Sequence, residues 1–110
     1  MTLALGVLIS GSGTNLGAIL DAVRAGELDA RVAVVISNRA GVQGLTRAAE
    51  AGVPAEVVSH KDFPSREAFD AAVVERLRAH GVDTVMLAGF MRVVTGTLLG
   101  AFEDRVLNVH

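Results

Sequence analysis

Two periodicities alternate along the chain. Short, nearly continuous apolar runs give way to stretches in which apolar residues return every three or four positions, and this exchange of strand-like for helix-like patterning repeats to the last residue. The runs Leu3–Ile9 and 32–36 read as buried strands. Between them Leu16, Ile19, Leu20 and Val23 fall on one face of a helix. A second helix is expected over about 42–51, where Gly52 supplies a left-handed cap and Pro54 cannot continue the helix. A short strand follows at about 55–58. The third helix starts near Ser65, whose hydroxyl can cap free amides; Glu67 sits in its first turn, and Phe69, Ala72, Val73 and Leu77 share a face. Gly81 ends it. Residues 82–88 read as a fourth strand, Gly96–Ala101 as a short helix and 105–109 as a fifth strand.

Strands that alternate with helices predict an α/β fold, a Rossmann-like doubly wound parallel sheet of about five strands. Right-handed crossovers make the order 3-2-1-4-5 the most economical arrangement, with helices on both faces. Strand one then neighbours strand four. Ligands of such sheets bind beyond the carboxyl ends of the strands, where the order reverses. The loop after strand one, the loop after strand four and the end of strand five should therefore meet.

Composition narrows the chemistry. At 110 residues, 51% hydrophobic, the chain has the size of one domain with a real core. A net charge of −2, with basic residues scattered, offers no footprint for nucleic acid or an anionic membrane surface. The apolar runs are too short to span a bilayer, and the first lacks the basic flank of a signal peptide. With no cysteine, thiolate nucleophiles, thiolate metal sites and disulfides are excluded, which fits a reducing, cytoplasmic setting. His60, His80 and His110 lie far apart without metal-ligand spacing, so no metal is expected. His60 reads as exposed loop and His80 as a favourable partner of a helix carboxyl end; neither is given a functional role.

Three segments carry the candidate chemistry. Ser10-Gly11-Ser12-Gly13-Thr14-Asn15 joins strand one to helix one, and glycines before a helix start suit a phosphate. No Lys-Ser or Lys-Thr follows, so it is not a Walker loop. Gly17 comes one residue late for a dinucleotide fingerprint, and Ser37-Asn38 stands where an NAD site wants an acid. A tight turn without a ligand is the plain alternative. Leu87-Ala88-Gly89-Phe90-Met91-Arg92-Val93-Val94 leaves strand four still apolar, as a flat aromatic ligand would require, although Phe90 and Met91 can equally fill core. Asn108 and His110, two apart, point to the same side of a strand, where an amide and an imidazole can meet the needs of acyl transfer. A solvated terminal histidine and a turn-forming asparagine would look the same. Arg66, a cation opening a helix, hints at an anion nearby.

Taken in order, Leu8-Ile9-Ser10-Gly11-Ser12-Gly13-Thr14-Asn15-Leu16, Ile36-Ser37-Asn38, Ala51-Gly52-Val53-Pro54, Ser65-Arg66-Glu67-Ala68-Phe69-Asp70, Leu87-Ala88-Gly89-Phe90-Met91-Arg92 and Leu107-Asn108-Val109-His110 resemble the amino-terminal half of the phosphoribosylglycinamide formyltransferases. These are folate-dependent enzymes of purine synthesis. The resemblance implies that Gly13, Thr14 and Asn15 hold the 5′-phosphate of glycinamide ribonucleotide with Arg66 beside it. It implies that Leu87, Phe90, Met91, Arg92, Val93 and Val94 bind the pterin of 10-formyltetrahydrofolate, the cosubstrate. Asn108 and His110 would stabilise the tetrahedral intermediate, with no metal. Residues 1–110 would be the amino-terminal, phosphate-binding portion of a formyltransferase domain, truncated relative to a family that adds more sheet, more folate pocket and a catalytic Asp. An exposed sheet edge would then favour association with a carboxy-terminal half, or self-association. Formyltetrahydrofolate hydrolase and a non-catalytic phosphoribosyl-binding module are the rival readings.

Overall fold

A computed structural model describes residues 2–109. Its elements run β1 (Leu3–Ile9), α1 (Thr14–Arg24), β2 (Ala30–Ser37), α2 (Gln43–Glu50), β3 (Ala55–Val57), a 3-10 turn (His60–Asp62), α3 (Arg66–Ala79), β4 (Thr84–Ala88), α4 (Gly96–Ala101) and β5 (Val106–Val109). The strands form one parallel sheet in the order β3-β2-β1-β4-β5. That is the order and class expected from the alternation.

Two cores, one on each face, hold the layers together. Leu5, Val7 and Ile9 of β1 pack with Leu16, Ile19 and Leu20 of α1 and Ala48 of α2. Leu8, Val34, Ile36 and Val85 pack with Phe69, Val73 and Leu77 of α3 and with Leu98 of α4. Because neighbouring residues of a strand face opposite ways, a strand buried on both sides must be apolar at every position, and β1 is. Ser65 caps α3 as expected, its hydroxyl accepting from the Ala68 N–H at 3.1 Å. Thr95 does the same for α4, accepting from Thr97 at 3.3 Å.

The structure redraws some boundaries. Val82 and Asp83 do not belong to β4: Val82 donates to the Leu77 carbonyl in the turn after α3, while the Asp83 carboxylate accepts from the Ala4 N–H. Val82 is buried nonetheless, so its side chain reads as strand while its backbone closes a helix. His60, expected in exposed loop, is half-buried in the 3-10 turn. Among the described residues, no helix is long and apolar enough to cross a membrane.

Candidate active site

The pairing of β1 with β4 places the two unusual loops side by side at the reversal point of the sheet. A cavity of about 280 Å³ opens there, lined by Ser10 to Asn15 of the first loop, by Ala88, Gly89 and Met91 of the second, and by Arg39 after β2. Among the described residues, Arg39 is its only charged lining residue.

The first loop is shaped for close packing. Gly13, the residue before α1, has φ 75°, and a Cβ there would lie 2.6 Å from the Gly44 Cα. Gly44 in turn donates its N–H to the Gly11 carbonyl at 3.0 Å, and a Cβ on Gly44 would collide with the Ile9 side chain. Two glycines on different elements thus let α2 touch the loop. Arg47 braces it from the same helix, its Nε donating to the Ser12 carbonyl at 2.9 Å. Among the described residues no side chain caps α1, and its first turn holds no acid, so its opening N–H groups and the positive end of its dipole are open to an anion.

Ser10 joins the two loops. Its hydroxyl, 1% exposed, donates to Asn38 Oδ1 at 2.6 Å and accepts from the Met91 N–H at 2.8 Å. Asn15 reaches the third segment, its amide donating to the Val109 carbonyl at 3.3 Å. The loop after β1 therefore contacts both of the segments expected to meet it.

The second loop divides its side chains between two tasks. Phe90 stacks on Phe69 of α3, with ring centroids 6.4 Å apart and planes inclined by 13°, and the Arg92 guanidinium lies 5.3 Å from the centroid of the same Phe69 ring. Leu87 and Val94 also pack on the α3 core. Met91 and Val93 are 81% and 66% exposed. The open choice between core filling and ligand binding thus resolves residue by residue: Phe90 fills core, whereas Met91 does not. Farther along, the buried Asp70 of α3 accepts from Thr95 at both N–H and hydroxyl, at 2.7 and 2.8 Å, and pins the end of the loop.

The remaining candidates lie apart from the cavity lining. Asn108 is exposed on β5, in register with Leu87, and Arg66 is exposed at the first position of α3. His110 lies outside the described residues. Among the described residues no group of three or more His, Cys, Asp or Glu could hold a metal ion. Sequence reasoning gave no role to Ser10, Asn38, Arg39, Gly44, Arg47 or Asp70. Ser10, Asn38 and Asp70 fall within the short stretches that carry the family resemblance, whereas Arg39, Gly44 and Arg47 act across gaps in the chain that no short motif spans.

Comparison with known proteins agrees with this geometry. A glycinamide ribonucleotide transformylase from Symbiobacterium toebii superposes with a TM-score of 0.96 at 59% identity, over 99% of this chain and 51% of that one. The phosphoribosylglycinamide formyltransferase of Haemophilus influenzae is 41% identical over 104 residues, 94% of this chain and 49% of its own length. A trifunctional purine biosynthetic protein of Drosophila melanogaster is 50% identical over 106 residues, 94% of this chain and 8% of its own. The chain thus spans about half the length of the bacterial relatives it matches. The formyl transferase family model matches residues 4–110, and with the glycine loop, the apolar loop and the end of β5 gathered at one end of the sheet, the chain belongs to the formyl transferase family.

Proposed function

We propose that these residues supply the phosphate cradle and the folate-binding loop of a phosphoribosylglycinamide formyltransferase acting in the cytoplasm. The formyl group passes from 10-formyltetrahydrofolate to the amine of glycinamide ribonucleotide. The observation that carries this reading is the single cavity shared by Ser10 to Asn15 and by Gly89 and Met91. It offers an anion the start of α1, with the uncovered apolar side chain of Met91 in its lining and the exposed Val93 two residues on.

In this reading Gly13, Thr14 and Asn15 hold the 5′-phosphate, with Arg66 at its outer side. Met91 and Val93 form the open face of the pterin wall, and Leu87, Phe90, Arg92 and Val94 back it from the α3 side. The substrate amine attacks the formyl carbon, the carbon's bond to folate N10 breaks, and the amine's proton ends on N10. Asn108 donates to the oxyanion formed on the way, and His110 carries the proton. Residues 1–110 then form the amino-terminal, phosphate-binding portion of the catalytic domain.

The test mixes this chain with a separately made carboxy-terminal half of the Symbiobacterium relative and follows formyl transfer to glycinamide ribonucleotide. Transfer in the mixture and in neither part alone is the expected result. Formyl release to water that ignores the acceptor assigns the hydrolase instead. Phosphoribosyl binding without turnover, in a mixture whose halves associate, leaves a binding module.

A further inference from the structure

The end of the sheet that holds the glycine-loop cavity carries a second basin with no place in the reaction above. It has a volume of about 300 Å³ and is lined by Asn38, Arg39, Ala40, Ser59, His60 and Lys61, from the segments that follow β2 and β3. Among the described residues the lining holds no carboxylate. Among the described residues neither Arg39 nor Lys61, the chain's single lysine, has a side-chain hydrogen bond or ion-pair partner. Two cations drawn to one basin in a chain of net charge −2 repel each other unless an anion lies between them.

His60 adds a donor. Its Nδ1 is buried and is the one buried side-chain N or O atom without a partner among the described residues. A buried N–H left unpaired is costlier than a bare lone pair, so a single ring proton belongs on Nε2. The basin then presents a guanidinium, an ammonium, an imidazole N–H and the Ser59 hydroxyl, a donor set for oxyanions.

The two basins are joined. Arg39 lines both of them, and Asn38 of the second accepts a hydrogen bond from Ser10 of the first. We propose that the Arg39–His60–Lys61 basin is a second oxyanion subsite, and that a polyphosphorylated ligand seats one phosphoryl group in the glycine loop and the next on these three side chains. The proposal rests on the reading of the glycine loop as a phosphate site and extends it. Compounds bearing a chain of phosphoryl groups compete there with the singly phosphorylated ribose substrate.

The test titrates the 110-residue chain with inorganic phosphate, pyrophosphate and tripolyphosphate at constant ionic strength, read by calorimetry and by amide NMR shifts. Tripolyphosphate should bind about tenfold more tightly than phosphate, the worth of one or two added charge-assisted hydrogen bonds at a wet site. His60→Ala and Lys61→Ala should each erase that advantage and leave phosphate affinity unchanged; the exposed Arg78→Ala on α3 should alter neither. His60→Ala removes no hydrogen bond from the fold, and Lys61 is exposed, so both variants report on binding. Phosphate shifts at Gly13 to Asn15 together with a tripolyphosphate affinity indifferent to Lys61 overturn the subsite alone. Phosphate that leaves Gly13 to Asn15 unshifted overturns the glycine-loop reading and the two-basin ligand with it. ADP and ATP in the same titration separate the sources: affinity above tripolyphosphate assigns a nucleotide, and equal affinity assigns the phosphoryl chain.

Discussion

A single hydroxyl, that of Ser10, couples the glycine loop to the apolar loop. It bridges partners 28 and 81 residues away, and both of its bonds are shorter than 3 Å. Ser10→Ala leaves the Met91 N–H and the Asn38 carbonyl without their partner, at a cost of about 1–3 kcal/mol. A lower urea midpoint with an unchanged slope is expected, while Ser12→Ala, whose hydroxyl meets only Thr14 at the surface, should shift the midpoint by less than about 0.5 kcal/mol equivalent. Asp70 acts similarly from α3. Asp70→Ala strips two short bonds from Thr95 and should cost about 2–3 kcal/mol, and it should also raise amide exchange over residues 91–95, which Ser65→Ala at the other end of α3's first turn would not. The sequence made the site's segments legible because glycines, apolar runs and helix starts are local signals. It left Arg47 and Gly44 silent, and the role of Asp70 unread, because their meaning is a contact. A buried acid on a helix and a glycine inside one look like minor flaws in periodicity until the partner loop is beside them.

At the scale of elements, the edge of the sheet is tied to a helix by charge. Glu56 of the three-residue strand β3 accepts from Arg76 of α3 at 2.7 and 2.9 Å and also contacts His80 at the end of that helix. The paired Arg76 guanidinium holds the Glu56 carboxyl down at about 2, against an ordinary value of 4.5; burial opposes this, and the His80 contact adds to it. The same pairing raises Arg76. A carboxyl whose folded value is depressed contributes stability above its unfolded value and loses it as pH falls through the folded one. The window therefore runs from 4.5 down to about 2. Urea midpoints of the wild-type chain should fall through that window, and those of Glu56→Gln should start lower and change less; parallel curves would remove the pair from the account of acid stability. The same region shows where sequence reading stops. β1 and α4 were legible to the residue because apolar runs and helix signals coincide with their ends. The front of β2 was not, since Arg31 interrupts the run, and the His60–Asp62 turn was not, since three polar residues carry no period.

Over the whole molecule the two edges of the sheet differ in kind. β3 is short, and its one inward-turned acid is clamped; β5 carries Leu107 at 49% exposure and Asn108 exposed beside it, with strand partners on the β4 side only among the described residues. A row of unpaired backbone groups bearing an apolar side chain is a template for another strand, and the charged turn Glu103-Asp104-Arg105 guards only its entrance. The isolated chain is therefore expected to associate as its concentration rises, through β5. Sedimentation velocity should register a shift from monomer toward larger species that Leu107→Lys abolishes. At a half-exposed position that change costs the fold less than about 1 kcal/mol, so loss of association would report on the edge and not on unfolding. Adding the carboxy-terminal half of the relative should suppress self-association in the wild type by competing for the same edge. If Leu107→Lys still associates, the contact lies elsewhere, and the exposed Met91 and Val93 become the next surface to change.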